Sequence, residues 1–368
     1  MLNSEEIKRY ARHLSLENVG LKGQERLKSA KILVIGAGGL GAPILQYLTA
    51  AGVGTIGIVD HDVVDESNLQ RQVIFSISDL GKPKVKAAID RLQQLNSFVQ
   101  FQAHQMALDT SSALELLREY DIILDGTDNF PTRYLVNDAC VLLNKPFVHG
   151  SIFKFQGQVS VFNYQNGPSY RCLYPTAPGA EEAPNCSEVG VLGILPGVIG
   201  TRMATECIKM ILGVGSVLSG TVEVIDLLEN QNVQLKVQRN EANFRRTELE
   251  SSYDEVCENK EGLEAEISVT ELKQRMDRQE NPLILDVREP FELEICSFEG
   301  ALHIPLQSLP TQMAEIPKDT PVIAVCHHGI RSANAIAFLK DQGWTNLSNL
   351  EGGIHAWAVE IDPNMAQY

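Results

Sequence analysis

The stretch "KILVIGAGGLGAP", Lys31 to Pro43, constrains this chain more than any other. A β-branched and aliphatic run ends on glycines, and the glycines open a segment of good helix formers. Gly36-x-Gly38-x-x-Gly41 is the spacing at which a strand turns sharply into a helix and leaves its backbone close enough to touch phosphates at the helix N-terminus. A second aliphatic run, "GTIGIVD", ends on Asp60, at the separation where a carboxylate can hold ribose hydroxyls. This is a βαβ unit with a nucleotide-binding turn. The glycines alone serve NAD and ATP equally, and NAD is the commoner owner of the pattern.

Further strand-like runs at "DIILDGTD", "PFVHGSI" and "QGQVSVF" alternate with helical stretches at Lys82–Leu95 and Thr132–Leu143. The alternation predicts an α/β fold, Rossmann-like, with a mostly parallel sheet covered by helices. Upstream, Asn3 and Glu6 stand as a capping pair, and Ile7, Tyr10, Ala11 and Leu14 recur at helical spacing, predicting one amphipathic helix over Asn3–Leu16. From Gln238 the composition changes to "RNEANFRRTELESSYDEVCENKEGLEAE", rich in charge and poor in apolar periodicity. The alternation then restarts with "PLILDVRE", "ALHIP", "PVIAVC" and "WTNLSNLEGG". The expected organisation is a nucleotide-binding domain at 1–240, a charged linker at 241–265 and a smaller α/β domain at 266–368. With 44% hydrophobic residues in 368, two packed cores are affordable to the chain.

The formal net charge of −16 argues against nucleic acid or an anionic membrane as the main partner. The opening "MLNSEEIKRY" is polar, and no stretch approaches the roughly 18 apolar residues of a spanning helix, so no membrane segment is expected and the cytoplasm is the expected location. Seven scattered cysteines suit reduced thiols better than a disulfide framework. Cys140 and Cys207 sit among apolar helical residues and are expected in the core.

The residues around the glycine turn separate ATP from NAD. "DHDVVDESNLQRQVIF", "GKPKVKAA" and "LDGTDNFPTR" follow in order. Hydride transfer has no need of a second cationic cluster beyond the ribose carboxylate. Nucleotidyl transfer needs cations around a triphosphate and an acid for its metal. Asn68, Arg71 and Lys84 supply the first and Asp128 the second, so ATP with Mg²⁺ is the expected ligand.

At this point residues 5 to about 236 resemble the ThiF/MoeB type of ubiquitin-activating-like adenylyltransferase. The resemblance rests on "RYARHLSL", "GAGGLGAPILQYLTAAGVG", "DESNLQRQ", "GKPKV", "DGTDNFPTRYLVND" and "NCSEVGVLG". It implies acyl-adenylate formation at the C-terminal glycine of a ubiquitin-like sulfur carrier of the MoaD or ThiS kind. It places Gly39 where the loop meets the nucleotide and Asp60 at the ribose. Ser67, Asn68, Leu69, Gln70, Arg71 and Lys84 fall along the phosphates, and Asp128 and Asn129 beside magnesium and adenosine. It makes Arg12 an arginine lent across a homodimer interface, and Cys186 a catalytic-loop thiol able to form a thioester or acyl disulfide with the carrier.

The family often carries zinc on two Cys-x-x-Cys pairs, and here the sequence departs from it. "SYRC" keeps only Cys172, with Ser169 in the other position, and "RNEANF" has no cysteine. One thiolate does not make a tetrahedral site, so no zinc is expected. How the segment after Gln234 is anchored stays open.

Residues 266 to about 362 resemble a rhodanese domain through "LILDVREPFE", "EGALHIP", "PVIAVCHHGIRSANAIAFLKDQG" and "LEGGIHAWAVEIDP". Cys326 ends a strand, and its loop leads to Arg331 at a helix start. Backbone amides, the helix N-terminus and Arg331 would together stabilise a persulfide anion. Four residues separate Cys326 from Arg331, one fewer than a cysteine phosphatase uses, and the smaller cradle suits sulfur. Asp286 and Arg288 are expected to be structural partners.

The two domains together predict carrier adenylation followed by sulfur transfer from a Cys326 persulfide to give a carrier thiocarboxylate. The sulfur comes from a cysteine desulfurase or thiosulfate, and the tether raises the effective concentration of the two chemistries. Molybdopterin cofactor synthesis is favoured, with thiamine synthesis and tRNA thiolation as alternatives. Three other readings stand beside it: adenylation with an independent rhodanese activity, an NAD-dependent oxidoreductase, and a non-catalytic sulfur- or redox-sensing scaffold.

Overall fold

The aliphatic runs Lys31–Ile35, Thr55–Val59 and Ile122–Asp125 are buried almost throughout, as strands inside a parallel sheet require. In a computed structural model, β1 (Lys31–Ile35), β2 (Thr55–Val59), β3 (Gln100–His104), β4 (Ile122–Asp125), β5 (Phe147–Phe153), β6 (Gln156–Phe162), β7 (Thr221–Asp226) and β8 (Gln231–Lys236) make one sheet in the order β3-β2-β1-β4-β5-β6-β7-β8. Pairing is parallel from β3 to β5 and antiparallel from β5 to β8. The structure describes residues 1–177, 190–253, 266–280 and 282–368, and the chain divides into two units, Met1–Glu258 and Asn259–Tyr368.

Because β2 and β4 lie on opposite sides of β1, the chain reverses direction across the sheet there. The carboxyl ends of β1 and β4 then leave a crevice between their loops, the position where open α/β sheets bind ligands. At the start of the following helix a Cβ on Gly41 would lie 2.0 Å from the Gly36 carbonyl, so only glycine lets the turn close.

The helices of the first unit are α1 (Ser4–Arg9), α2 (Ala11–Leu14), α3 (Gly20–Ser29), α4 (Gly41–Ala51), α5 (Lys84–Leu95), α6 (Ala113–Arg118), α7 (Phe130–Leu143), α8 (Tyr170–Leu173) and α9 (Leu195–Leu212). The expected capping pair is present: the Glu6 amide donates to Asn3 and the Asn3 amide to Glu6, both at 2.8 Å. The expected single helix over Asn3–Leu16 is instead two, broken at Tyr10. Tyr10 is buried and its hydroxyl accepts from Asn96 at 2.9 Å, a tertiary contact that outweighs helical continuity, while Ile7 faces solvent. Of the stretch read as a linker, residues 241–253 lie on the first unit, where Tyr253 is buried and donates to Asp138 at 2.8 Å.

The second unit holds a parallel sheet of β9 (Glu266–Ile267), β10 (Leu283–Asp286), β11 (Leu302–His303), β12 (Val322–Val325) and β13 (Leu347–Leu350), in the order β11-β10-β12-β13-β9. It is covered by α10 (Val269–Asp277), α11 (Pro290–Leu293), α12 (Leu309–Gln312), α13 (Ile330–Asp341) and α14 (Gly353–Glu360). Among the described residues, no helix is long and apolar enough to cross a membrane.

Candidate functional sites

The crevice beside β1 is lined by residues from separate stretches of the chain. Gly38 and Gly39 come from the glycine turn, Asp60 and Asp62 from beyond β2, and Arg71 and Lys84 from the following loop and the start of α5. Asp128 and Asn129 come from the β4–α7 turn. Asp60 is held by the turn itself, its Oδ2 accepting from the Ala37 amide at 2.8 Å and its Oδ1 from the Asp62 amide at 2.9 Å. Lys84 is buried and its Nζ donates to Asp62 at 2.8 Å, which keeps the ammonium at the wall of the crevice. Asn129 caps α7 by accepting from the Thr132 amide at 2.9 Å. Asp128, next to it, is exposed and has no cation partner among the described residues.

Other expected residues lie outside this lining. Ser67, Asn68, Leu69 and Gln70 occupy the neighbouring loop, where the Ser67 carbonyl accepts from Arg71 at 3.1 Å and so aims the guanidinium. Arg12 stands exposed on α2, away from the crevice. Cys186 lies outside the described residues. Val191, five residues after Cys186 in sequence, also lines the crevice.

Two lining residues escaped the sequence reading. Among the described residues, buried Gln72 has no partner for its Oε1 and buried Arg133 none for its Nε, while the Arg133 Nη2 donates to the Thr127 carbonyl at 3.0 Å. The signal for Arg133 was its place on the first turn of a helix capped by Asn129. Beneath the crevice, Asp125 ends β4 against His149 at 3.1 Å. Burial opposes the Asp125 charge, but His149, Arg133 and Thr127 outweigh it and hold the carboxyl below its ordinary range. Burial pushes the His149 imidazole down.

The second site is built around Cys326, just past the end of β12 and fully buried. Its Sγ accepts from the Gly329 amide at 3.1 Å, and the Ser332 hydroxyl lies 3.3 Å away. The loop is clamped from below by α14, whose Ile354 and His355 amides take the carbonyls of Cys326 and His327. A Cβ on Gly353 would sit 2.3 Å from the His327 carbonyl, so this close approach requires glycine. Arg331 is paired with Glu292 through both Nη atoms, at 2.6 and 2.8 Å. Glu292 also accepts from the Tyr368 hydroxyl at 2.9 Å, and Arg288 donates to that hydroxyl at 2.8 Å. Asp286 and Arg288 form a fully buried pair that props this chain of contacts rather than touching the sulfur. His327 stacks on Tyr368 with ring centroids 4.2 Å apart, and burial, reinforced by His328 and His355, pushes its imidazole down to about 4, so it is neutral at pH 7.

The expected zinc positions also come together. Cys172 faces Ser169, Asn240 and Asn243, a donor set with one thiol and no second soft ligand. That set does not fit zinc. Cys140 and Cys207 are buried in the core, and burial pushes both thiols up.

A mostly parallel sheet with cations and carboxylates at its switch point, joined to a buried thiol that accepts from the Gly329 amide and lies beside the Ser332 hydroxyl, defines a nucleotide-dependent transferase with a sulfur-handling partner domain. Comparison agrees: residues 10–247 match the ThiF family and residues 268–360 the rhodanese-like domain. The chain belongs to the ThiF family and carries a C-terminal rhodanese-like domain. The probable adenylyltransferase/sulfurtransferase MoeZ of Mycobacterium tuberculosis is 44% identical, covering 100% of this chain and 96% of the relative. The adenylyltransferase and sulfurtransferase MOCS3 of Bos taurus is 39% identical, covering 100% and 89%. Among solved structures, Escherichia coli MccB with ATP has a TM-score of 0.55 at 24% identity over 65% of this chain and 73% of that one, a likeness of fold. The chain is therefore an enzyme, an adenylyltransferase and sulfurtransferase that uses ATP, and the oxidoreductase and scaffold readings fall away.

Proposed function

We propose that the first unit binds ATP and Mg²⁺ in the β1–β4 crevice and adenylates the C-terminal glycine of a ubiquitin-like, Gly-Gly-ended sulfur carrier. The second unit then delivers sulfur from a Cys326 persulfide. The observation that carries this reading is convergence: Gly39, Asp60, Arg71, Lys84, Asp128 and Asn129, expected from widely spaced motifs, line one crevice. Asp128 is a hard oxygen donor with no cation partner among the described residues, which suits Mg²⁺.

A carboxylate oxygen of the carrier attacks the α-phosphorus, the bond to pyrophosphate breaks, and an acyl-adenylate forms. Arg71, Lys84 and Arg133 provide positioning and charge neutralisation, and no covalent enzyme group is required. The terminal sulfur of the persulfide attacks the acyl carbon, AMP leaves, and an acyl disulfide links Cys326 to the carrier. A thiol reductant cleaves that disulfide, releasing the thiocarboxylate and becoming oxidised itself. Val191 at the crevice edge supports an encounter of Cys186 with the activated acyl group. Arg12, exposed and away from its own crevice, supports a homodimer in which it reaches a neighbour's nucleotide. The described cysteines are all free thiols, which supports a reducing, cytoplasmic setting. Molybdopterin cofactor synthesis is the favoured pathway, and a cysteine desulfurase or thiosulfate is the sulfur source.

The test is ATP–pyrophosphate exchange by the purified protein with Gly-Gly-ended carriers, with and without thiosulfate, while carrier mass is followed. Exchange together with replacement of one carrier oxygen by sulfur is expected. Exchange without that replacement would sink the coupled reading, and absence of exchange with every carrier would sink the adenylation reading.

A further inference from the structure

Ser169 and Cys172 stand three apart at the head of α8, and Asn240 and Asn243 stand three apart, Asn240 capping the turn Glu241–Phe244 and Asn243 within it. The two pairs face each other around one sulfur. Cys172 Sγ accepts from the Ser169 amide at 3.4 Å, the Asn240 amide at 3.3 Å and the Asn243 side-chain amide at 3.5 Å, and the Ser169 hydroxyl lies 3.4 Å away. This is the layout of a four-ligand metal site in which three ligands have become hydrogen-bonding groups.

We infer that the segment 239–253 is fastened to the adenylation unit by a metal-independent clasp centred on Cys172 and Asp138. The reasoning starts from what that segment lacks. Its residues are mostly polar and, Tyr253 apart, exposed or half-exposed, so burial alone cannot order them. The sulfur satisfies the turn's first amide and the Asn243 amide group, which would otherwise fray. Although burial opposes it, the donors hold the Cys172 thiol below its ordinary range, as expected for a sulfur acting as acceptor.

Through Arg171, the residue before Cys172, the clasp extends to buried Asp138 on α7, which accepts from Arg171 at 2.8 and 2.9 Å and from the Tyr253 hydroxyl at 2.8 Å, with Arg246 3.3 Å away. Glu250 closes the network by accepting from both arginines at 2.9 Å. One of the segment's cations, Arg246, and its last described tyrosine therefore meet a buried carboxylate that Arg171 of α8 also holds. A buried charge supplied with several donors is held firmly, and loss of any partner is costly. A zinc ion would add nothing that this arrangement lacks.

The clasp is tested on the full chain by metal content and thermal melting, neither of which depends on activity. Wild-type protein purified with added zinc is expected to contain no stoichiometric zinc, and its melting is expected to ignore the zinc chelator 1,10-phenanthroline. Cys172→Ala and Asn243→Ala are each expected to lower the midpoint of the adenylation unit by about 2–4 °C, the scale set by a weak hydrogen bond in a domain this size. Because the four positions converge, the triple variant Ser169→Cys/Asn240→Cys/Asn243→Cys is expected to take up one zinc per chain and to become chelator-sensitive. One zinc per wild-type chain would overturn the inference, as would a folded triple variant that binds none. Should the triple variant misfold, the two alanine melts decide, and midpoints equal to wild type reject the clasp.

Discussion

Glu292 grips both terminal nitrogens of Arg331, at 2.6 and 2.8 Å, so the cation beside the Cys326 loop is charge-paired before any sulfur anion is present. Glu292 is buried and its carboxyl, although burial opposes the charge, is held below its ordinary range chiefly by Arg331. The resting cradle thus relies on the Gly329 amide at the sulfur, with the guanidinium as a reserve of positive charge.

Glu292→Gln should leave Arg331 uncompensated. Two effects are expected, of different kinds. Removing one member of a largely buried pair costs about 2–4 kcal/mol, read as a lower melting midpoint of the rhodanese unit. The freed cation also favours the thiolate, so iodoacetamide should label Cys326 about tenfold faster at pH 6 than in wild type. Unchanged labelling would show that Arg331 does not act on the sulfur.

His327 predicts the acid behaviour of the same unit. Its pKa falls from an unfolded value near 6.5 to about 4 in the folded state. Between those values the unfolded chain binds more protons than the native one, so stability rises with pH and is lost on acidification from about pH 6.5 towards pH 4. Allowing for partial solvent access, the loss is about 2 kcal/mol. Glu292, whose folded value is depressed, adds its own loss only at lower pH, below the ordinary carboxylate range. His327→Phe should flatten the dependence of melting midpoint on pH between 6.5 and 4.5; an unaltered slope would assign it to other groups.

Lys84 separates binding from stability in the first unit. Its partner Asp62 is half exposed, so Lys84→Met leaves a solvated carboxylate and should shift stability by under about 1 kcal/mol. Loss of a cation aimed at the triphosphate should reduce ATP–pyrophosphate exchange by about 10²–10³. A variant that melts far below wild type would show Lys84 to be a structural residue.

Arg133 is expected to act on the nucleotide through its Nε, which has no hydrogen-bond partner among the described residues. Arg133→Met keeps the buried stem and removes the charge. The KM for ATP in pyrophosphate exchange should rise about tenfold or more, as for a lost hydrogen bond to a charged group. A KM within twofold of wild type would remove Arg133 from the site.

Local pattern was enough for the elements that local pattern controls. The glycine turn, the aliphatic runs and Asp60 specified the βαβ unit, because a strand-to-helix turn and a two-face-buried strand are set by residues adjacent in the chain. Asp128, Cys326 and Arg331 were singled out from their own motifs because each stands near a strand end or helix start, while Asn129 came only with the family resemblance. Tertiary structure decided what depends on partners far apart in sequence. Tyr10 breaks a helix that its own stretch favours, because Asn96 is waiting for its hydroxyl. Arg331 is neutralised by Glu292, 39 residues away, and Cys172 gains its donors from Asn240 and Asn243, 68 and 71 residues on. A missing cysteine pair could be read from the sequence; the hydrogen bonds that replaced it could not, because asparagine and serine carry no mark of their partners until folding removes water from between them.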